Sequence, residues 1–185
     1  MTTRRDVLKG LGVGAGVAAT LPFLSEESAE ALEQVRKTQG PPRLRFFTRA
    51  QYATVDVLSE RLIPADDHSP GAHMARVADF IDLFVFDSPV AIKTAWNEGL
   101  VLLDQAARQQ AGKPFRQATP EQQIALLTEM SRNEFDPKTP LEEFFREAKT
   151  RTVQGYYTSK IGIHDELHYK GNQFLQEFVG YKEQA

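Results

Sequence analysis

The stretch Thr48–Ile63, TRAQYATVDVLSERLI, opens with a helix start and continues with apolar residues at helical spacing. Thr48 followed by Gln51 is a capping-box pattern, in which the Thr hydroxyl accepts from the third amide and the Gln side chain returns to the first. One face of the following turns carries Tyr52, Val55, Leu58, Leu62 and Ile63. This spacing predicts an amphipathic helix.

The same signals recur along the chain. Thr119-Pro120-Glu121-Gln122 and Thr139-Pro140-Leu141-Glu142 repeat the capping box with Pro at the first helical position, and Ser88-Pro89 marks a fourth start. Apolar stripes at helical spacing are Val77, Phe80, Ile81, Phe84, Val85; Ile92, Trp96, Leu100, Leu103, Ala107; Ile124, Leu127, Met130; and Phe144, Phe145, Ala148, Val153. No segment shows sustained alternation of apolar and polar residues. We predict an all-α, compact bundle of about five or six helices.

Length and composition restrict the class of protein. The chain has 185 residues, a net charge of -3 and no cysteine. This length suits one domain. The absence of cysteine excludes disulfides, thiolate-bound zinc, iron–sulfur clusters and covalent c-type haem in this chain. A nearly neutral charge argues against nucleic acid as a partner. The twelve Phe residues are interpreted mainly as core.

The N-terminus has the order of a twin-arginine export signal. Arg4, Arg5, Leu8 and Lys9 precede a short, Gly- and Ala-rich apolar run, residues 10–24. Such signals are read as addresses for export by the twin-arginine translocase. Residues 1–31 are therefore predicted to be a signal peptide, 32–45 a linker and 46–185 a helical domain. Small-x-small patterns at 17–19 and 29–31 leave the cleavage point open, and retention as an anchor is an alternative.

Two clusters contain residue types that bind metals. Asp66, His68 and His73 lie around a Ser-Pro-Gly turn, and these residue types also suit an exposed turn. His164 and His168 have an i, i+4 spacing. The zincin arrangement requires Glu directly after the first His, and this chain has Asp there. Turn and surface roles are favoured, and no catalytic, cofactor-binding or metal-binding residue is predicted. A stand-alone periplasmic metalloenzyme remains an alternative.

The C-terminal stretch, residues 156–178, is rich in tyrosine and phenylalanine. Tyrosine combines an apolar ring with a hydroxyl that stays hydrated, a combination common at protein interfaces. We predict a partner interface formed by Tyr156, Tyr157, Tyr169, Asn172 and Phe174. An ordinary cluster at the edge of the core is the alternative interpretation.

Taken in order, these motifs resemble the gluconate 2-dehydrogenase subunit 3 family. The resemblance rests on the Arg4-Arg5 signal, on residues 62–67 (LIPADD) with 69–72 (SPGA), on 77–82 (VADFID), and on 155–157 (GYY) with 169–172 (YKGN). It implies a small subunit without catalytic residues. The resemblance further implies a larger GMC-type, FAD-dependent dehydrogenase partner and, in many such complexes, a multi-haem cytochrome c subunit.

The resemblance also implies a role and a location. The small subunit supplies the export signal for the flavoprotein and assists its maturation, and the complex is periplasmic at the inner membrane. An export address on a chain without an apparent cofactor is explained if FAD belongs to the passenger. A signal-anchored scaffold without an enzyme partner is a further alternative. Gluconate, glucose, fructose and other polyols all remain open as the substrate of the complex.

Overall fold

The computed structural model describes residues 42–169, and this part of the chain is predominantly helical. The predicted export signal, Asn172 and Phe174 lie outside the described residues. The described range contains no β-strand, which confirms the all-α prediction. Its elements are α1 (Arg49–Leu62), α2 (Val77–Asp87), α3 (Val90–Ala111), a 3₁₀ turn (Phe115–Gln117), α4 (Pro120–Met130), α5 (Pro140–Tyr157) and a π-helical turn (Gly162–Glu166).

All three predicted capping boxes form. The hydroxyls of Thr48, Thr119 and Thr139 each accept from the amide three residues on, and the side chain at that position returns to the cap. Ser88 is the exception. Its hydroxyl donates to the carbonyl of Phe84 at 2.7 Å and therefore ends α2, while Pro89 precedes α3 without a side-chain cap. The helix start near this position is right, but a capping role for Ser88 is wrong.

Helix α2 forms the centre of the bundle. Every residue from Val77 to Val85 is buried, because α1, α3 and α5 pack around it. Helix α5 approaches closely at Gly155, where an added Cβ would lie 2.7 Å from the Phe80 ring. Trp96 of α3 packs edge-on against Phe144 of α5 with ring centroids 5.4 Å apart. The core thus joins helices that are distant in sequence.

Two predicted core positions are wrong, and polar neighbours take their places. Ile124 is 52% exposed, while the adjacent Gln123 is buried. The Gln123 amide nitrogen donates to the carbonyl of Phe115 at 2.9 Å, and its oxygen accepts from Arg61 Nε at 2.7 Å. Because the 3₁₀ turn presents carbonyls that need donors, hydrogen bonds offset the cost of removing the Gln123 amide from water.

The second exchange occurs on α5. Val153 is exposed, and the adjacent Thr152 is buried against α1. The Thr152 hydroxyl lies 3.3 Å from the Ser59 hydroxyl, so each buried hydroxyl has a hydrogen-bond partner. Small hydroxylated residues allow α1 and α5 to approach here, and the apolar stripe of α5 is rotated by one residue at this end.

Candidate partner-binding site

Residues 45–47, hereafter called the stem, lead into the bundle and are held by a buried carboxylate on α2. Asp82 accepts from three consecutive backbone amides: Arg45 at 2.6 Å, Phe46 at 3.1 Å and Phe47 at 2.7 Å. The Phe47 ring continues into the core, 5.8 Å from the Trp96 ring. Asp82 thereby fixes the direction in which the chain enters the domain. The sequence signal was available, since Asp79 and Asp82 interrupt the otherwise apolar run of residues 77–86.

The loop between α1 and α2, residues 63–76, is held in place by hydrogen bonds to Glu60, near the end of α1. The two oxygens of the Glu60 carboxylate accept from the amides of Ala65 at 3.2 Å and His73 at 2.8 Å. Gly71 lies directly over this carboxylate, and an added Cβ would come within 2.5 Å of the Glu60 oxygen and of the Ala65 nitrogen. A side chain at position 71 would therefore displace the loop.

Asp66 has a structural role within this loop. Its carboxylate accepts from the amides of His68 and Ser69, both at 2.8 Å, and these bonds lower the pKa of Asp66. His73 is occupied elsewhere, with Nδ1 2.8 Å from an oxygen of Asp56. The turn interpretation therefore describes the geometry of the first histidine cluster. Among residues 42–169, no three His, Cys, Asp or Glu side chains are grouped as metal ligands would be.

The second histidine pair does not lie on an α-helix. His164 is in the π-helical turn, where the amide of Leu167 donates to the carbonyl of Gly162 at 3.0 Å, an i to i+5 bond. His168 follows the turn with a left-handed backbone, φ 48°. The two histidines therefore do not share the helical face that an i, i+4 metal-binding pair would require.

A second aspartate of α2 holds the end of the loop. The Tyr52 hydroxyl donates to Asp79 at 2.7 Å, and Arg76 Nε donates to the other oxygen of the same carboxylate. Burial, followed by the hydrogen bond to Asp79, raises the pKa of the Tyr52 hydroxyl. These three side chains connect α1 to the start of α2, so the loop is anchored at its far end as well.

The predicted interface tyrosines occupy different environments. Tyr156 is 2% exposed, and its hydroxyl donates to the carbonyl of Pro70 at 2.8 Å and contacts the Ser69 hydroxyl. Burial, the largest cause, raises the pKa of Tyr156. This side chain joins α5 to the loop 63–76, so its placement at a surface is corrected: it belongs to the internal packing.

Tyr157 and Tyr169 do face solvent. Tyr157 is 38% exposed and packs edge-on against the Tyr156 ring, with centroids 5.3 Å apart. Tyr169 is 49% exposed, and its amide donates to the carbonyl of Ile163 at 3.0 Å. Exposed Val153 lies one turn before Tyr157 on α5. Val153, Tyr157, Leu167 and Tyr169 are hereafter called the C-terminal apolar residues.

One groove opens between α1, α3 and the 3₁₀ turn. Its volume is about 220 Å³, below the roughly 300–1,000 Å³ of typical small-molecule sites. Asp104 lies in its wall, and the Asp104 carboxylate accepts from the amide of Phe115 at 3.0 Å. Tyr156, Tyr157 and Tyr169, the predicted interface residues that the structure describes, do not line this groove. In the part of the chain that the structure describes, no helix is long and apolar enough to span a bilayer.

Comparison with known proteins identifies the family of this chain. The family described as gluconate 2-dehydrogenase subunit 3 matches residues 49–174, which extend from α1 through the loop 63–76 to Phe174. No curated protein and no solved structure matches the chain. The family match covers more than half of the sequence and includes the elements held by Glu60, Asp79 and Tyr156. The chain belongs to the gluconate 2-dehydrogenase subunit 3 family.

Proposed function

We propose that this chain is the small, non-catalytic subunit of an FAD-dependent sugar or sugar-acid dehydrogenase complex, and that it carries the export signal for the flavoprotein. The observation that carries the proposal is the presence of two features in one chain. Residues 49–174 match a family of dehydrogenase subunits, and the residues that follow Arg4-Arg5 have the order predicted for a twin-arginine signal. A signal of this kind on a small subunit serves a larger folded passenger.

The proposed division of labour assigns the redox chemistry to other subunits. A GMC-type large subunit holds FAD and oxidises the substrate, and a multi-haem cytochrome c subunit accepts the electrons where the complex contains one. This chain binds the flavoprotein, stabilises it during maturation and directs it through the twin-arginine translocase. The assembled complex acts in the periplasm at the inner membrane.

The fold supports this role by joining a partner surface to the stem of the signal. The stem enters the bundle at Asp82 through three hydrogen bonds, so it is attached to the packed domain immediately before α1. The C-terminal apolar residues lie on α5 and on the segment after it, and α5 packs directly on α2. A passenger bound to α5 is therefore linked, through α2 and Asp82, to residues 45–47, which follow the predicted signal and linker.

Co-purification tests the association. The full chain is affinity-purified from cells that also express a GMC-type flavoprotein subunit, and the eluate is analysed by native mass spectrometry and flavin absorbance. The proposal predicts a stoichiometric complex that contains FAD. A matched preparation uses an unrelated twin-arginine protein as the tagged chain. Recovery of this chain alone, at a flavin content equal to that control, contradicts the proposal.

A further inference from the structure

Phe135 is a fully solvent-exposed aromatic residue in a short loop. It lies between α4 and α5, and its side chain is 100% exposed. Burial of an aromatic side chain normally removes 150–250 Å² from water and dominates the energetics of cores and interfaces. The Phe135 ring buries none of this area within the described fold, so the bundle gains no packing energy from it.

The loop that carries Phe135 is closed at its base by one carboxylate. Glu142, in the first turn of α5, accepts from the Asn133 side-chain amide at 2.7 Å on one oxygen. Its other oxygen accepts from the backbone amides of Lys138 at 2.7 Å and Thr139 at 3.0 Å. Both ends of the segment 133–139 are therefore fixed to the same side chain, and Phe135 lies near its tip.

The charges next to Phe135 are compensated within the protein. Glu134 forms an ion pair with Lys149 of α5, with both oxygens 2.7 Å from Nζ, and Asp136 pairs with Lys138. Acidic side chains thus flank the ring on both sides. Because both carboxylates are paired, it is desolvation that disfavours a bilayer: insertion would carry two ion pairs into the membrane interface, where charged groups are costly. An apolar pocket on a protein fits the ring and leaves the flanking ion pairs at the solvated rim.

We propose that Phe135 is an aromatic anchor that inserts into an apolar pocket on the flavoprotein subunit. This inference rests on the function proposed above and adds a second contact region, on the loop between α4 and α5, to the C-terminal apolar residues. Because Glu142 closes the loop before binding, little conformational entropy is lost when the ring is buried. An interface anchor of this kind contributes a large share of the affinity although it is a single side chain.

The test compares Phe135→Ala with Ile124→Ala, which removes another exposed apolar side chain from α4. Affinity for the purified flavoprotein is measured by biolayer interferometry, and thermal unfolding of each free chain is measured in parallel. We expect Phe135→Ala to weaken binding by about 30-fold, the equivalent of a 2 kcal/mol hot spot, with an unchanged melting temperature. Ile124→Ala should bind within about two-fold of wild type.

Site-specific photo-crosslinking supplies an independent readout. With p-benzoyl-phenylalanine replacing Phe135, irradiation of the complex should yield a covalent adduct with the flavoprotein, and the same replacement at Ile124 should not. Suppose that the wild-type chain binds the flavoprotein. If the Phe135→Ala chain then binds with unchanged affinity and position 135 gives no adduct, Phe135 is not an anchor and the proposed function still stands. Absence of binding by the wild-type chain overturns the proposed function and, with it, this inference.

Discussion

Replacement of Asp82 by Ala should release the stem from the bundle. Three backbone amides, those of Arg45, Phe46 and Phe47, lose their acceptor. Arg45 and Phe46 are partly solvated and can recover bonds to water, whereas the buried Phe47 amide cannot while its ring stays in the core. An unsatisfied buried donor costs about 1–3 kcal/mol, and hydrogen bonds to charged acceptors contribute about 1.5–3 kcal/mol each. We expect a loss of about 2–4 kcal/mol in the free energy of unfolding.

Two measurements report on this change. Chemical denaturation followed by fluorescence reads the whole domain through Trp96, which is the single tryptophan of the chain and lies 5.8 Å from the Phe47 ring. Limited trypsin digestion reads the stem itself. The bond between Arg45 and Phe46 should resist cleavage in the wild type, because the Phe46 amide is bound to Asp82. Cleavage after the exposed Arg43 provides an internal standard in every variant.

A matched control separates stem release from general destabilisation. Asp82→Asn and Asp79→Asn make the same chemical change at buried positions of α2, but Asp79 binds the side chains of Tyr52 and Arg76 rather than the stem. Under native conditions, Asp82→Asn should open the site after Arg45, and Asp79→Asn should leave it protected. Equal protection in both variants would refute the reasoning, as would an Asp82→Ala chain with wild-type stability.

Three further predictions concern the histidines, the hydrogen bonds by which Glu142 closes the segment 133–139, and the exposed tyrosines. Alanine replacement of each histidine should leave turnover of the assembled complex within a few-fold of wild type, whereas loss of a metal ligand or general base would cost about 10²-fold or more; the four positions are His68, His73, His164 and His168. The Lys138 amide, followed by the Asn133 side chain, holds the pKa of Glu142 below its ordinary 4.5. The hydrogen bonds that Glu142 accepts therefore contribute their full stability above that pH and are lost as the pH falls through the lowered pKa. The protection factor of the Lys138 amide, which is its exchange rate corrected for the intrinsic rate at each pH, should fall as the pH is lowered from neutral to well below 4.5, and a flat profile would contradict this. Tyr157→Ala and Tyr169→Ala should each weaken flavoprotein binding by about 2 kcal/mol in a pull-down titration while circular dichroism stays unchanged, and unaltered binding would remove these residues from the interface.

The helices could be predicted because their signals are local. Each capping box places donor and acceptor within four residues, so Thr48, Thr119 and Thr139 specify their helix starts without reference to the rest of the fold. The burial of Gln123 and Thr152 could not be predicted in the same way. Their partners, Phe115, Arg61 and Ser59, are brought to them only by tertiary packing, and periodicity alone assigned the core to the apolar neighbours.

The environments of the predicted interface tyrosines could be predicted only in part for the same reason. A run of tyrosines indicates amphipathic surface, but composition cannot distinguish Tyr156 from Tyr157, which are adjacent on α5. The distinction is made by Ser69 and Pro70, which lie more than eighty residues earlier in the chain and bind the Tyr156 hydroxyl. The exposure of Phe135 was not predicted because a lone aromatic residue gives no periodic signal, and only the packing of residues 42–169 shows that its ring lies outside the core.

Export of the flavoprotein tests the central claim most directly. Arg4 and Arg5 are both replaced by Lys, and a control chain carries the same two conservative changes at Arg43 and Arg45, outside the signal. Dehydrogenase activity and flavoprotein are then quantified in periplasmic, membrane and cytoplasmic fractions. If the signal of this chain directs export of both proteins, cells with the signal variant should keep this chain and the flavoprotein in the cytoplasm. Cells with the control chain should export both. Normal dehydrogenase activity outside the cytoplasm of the signal variant would contradict the account.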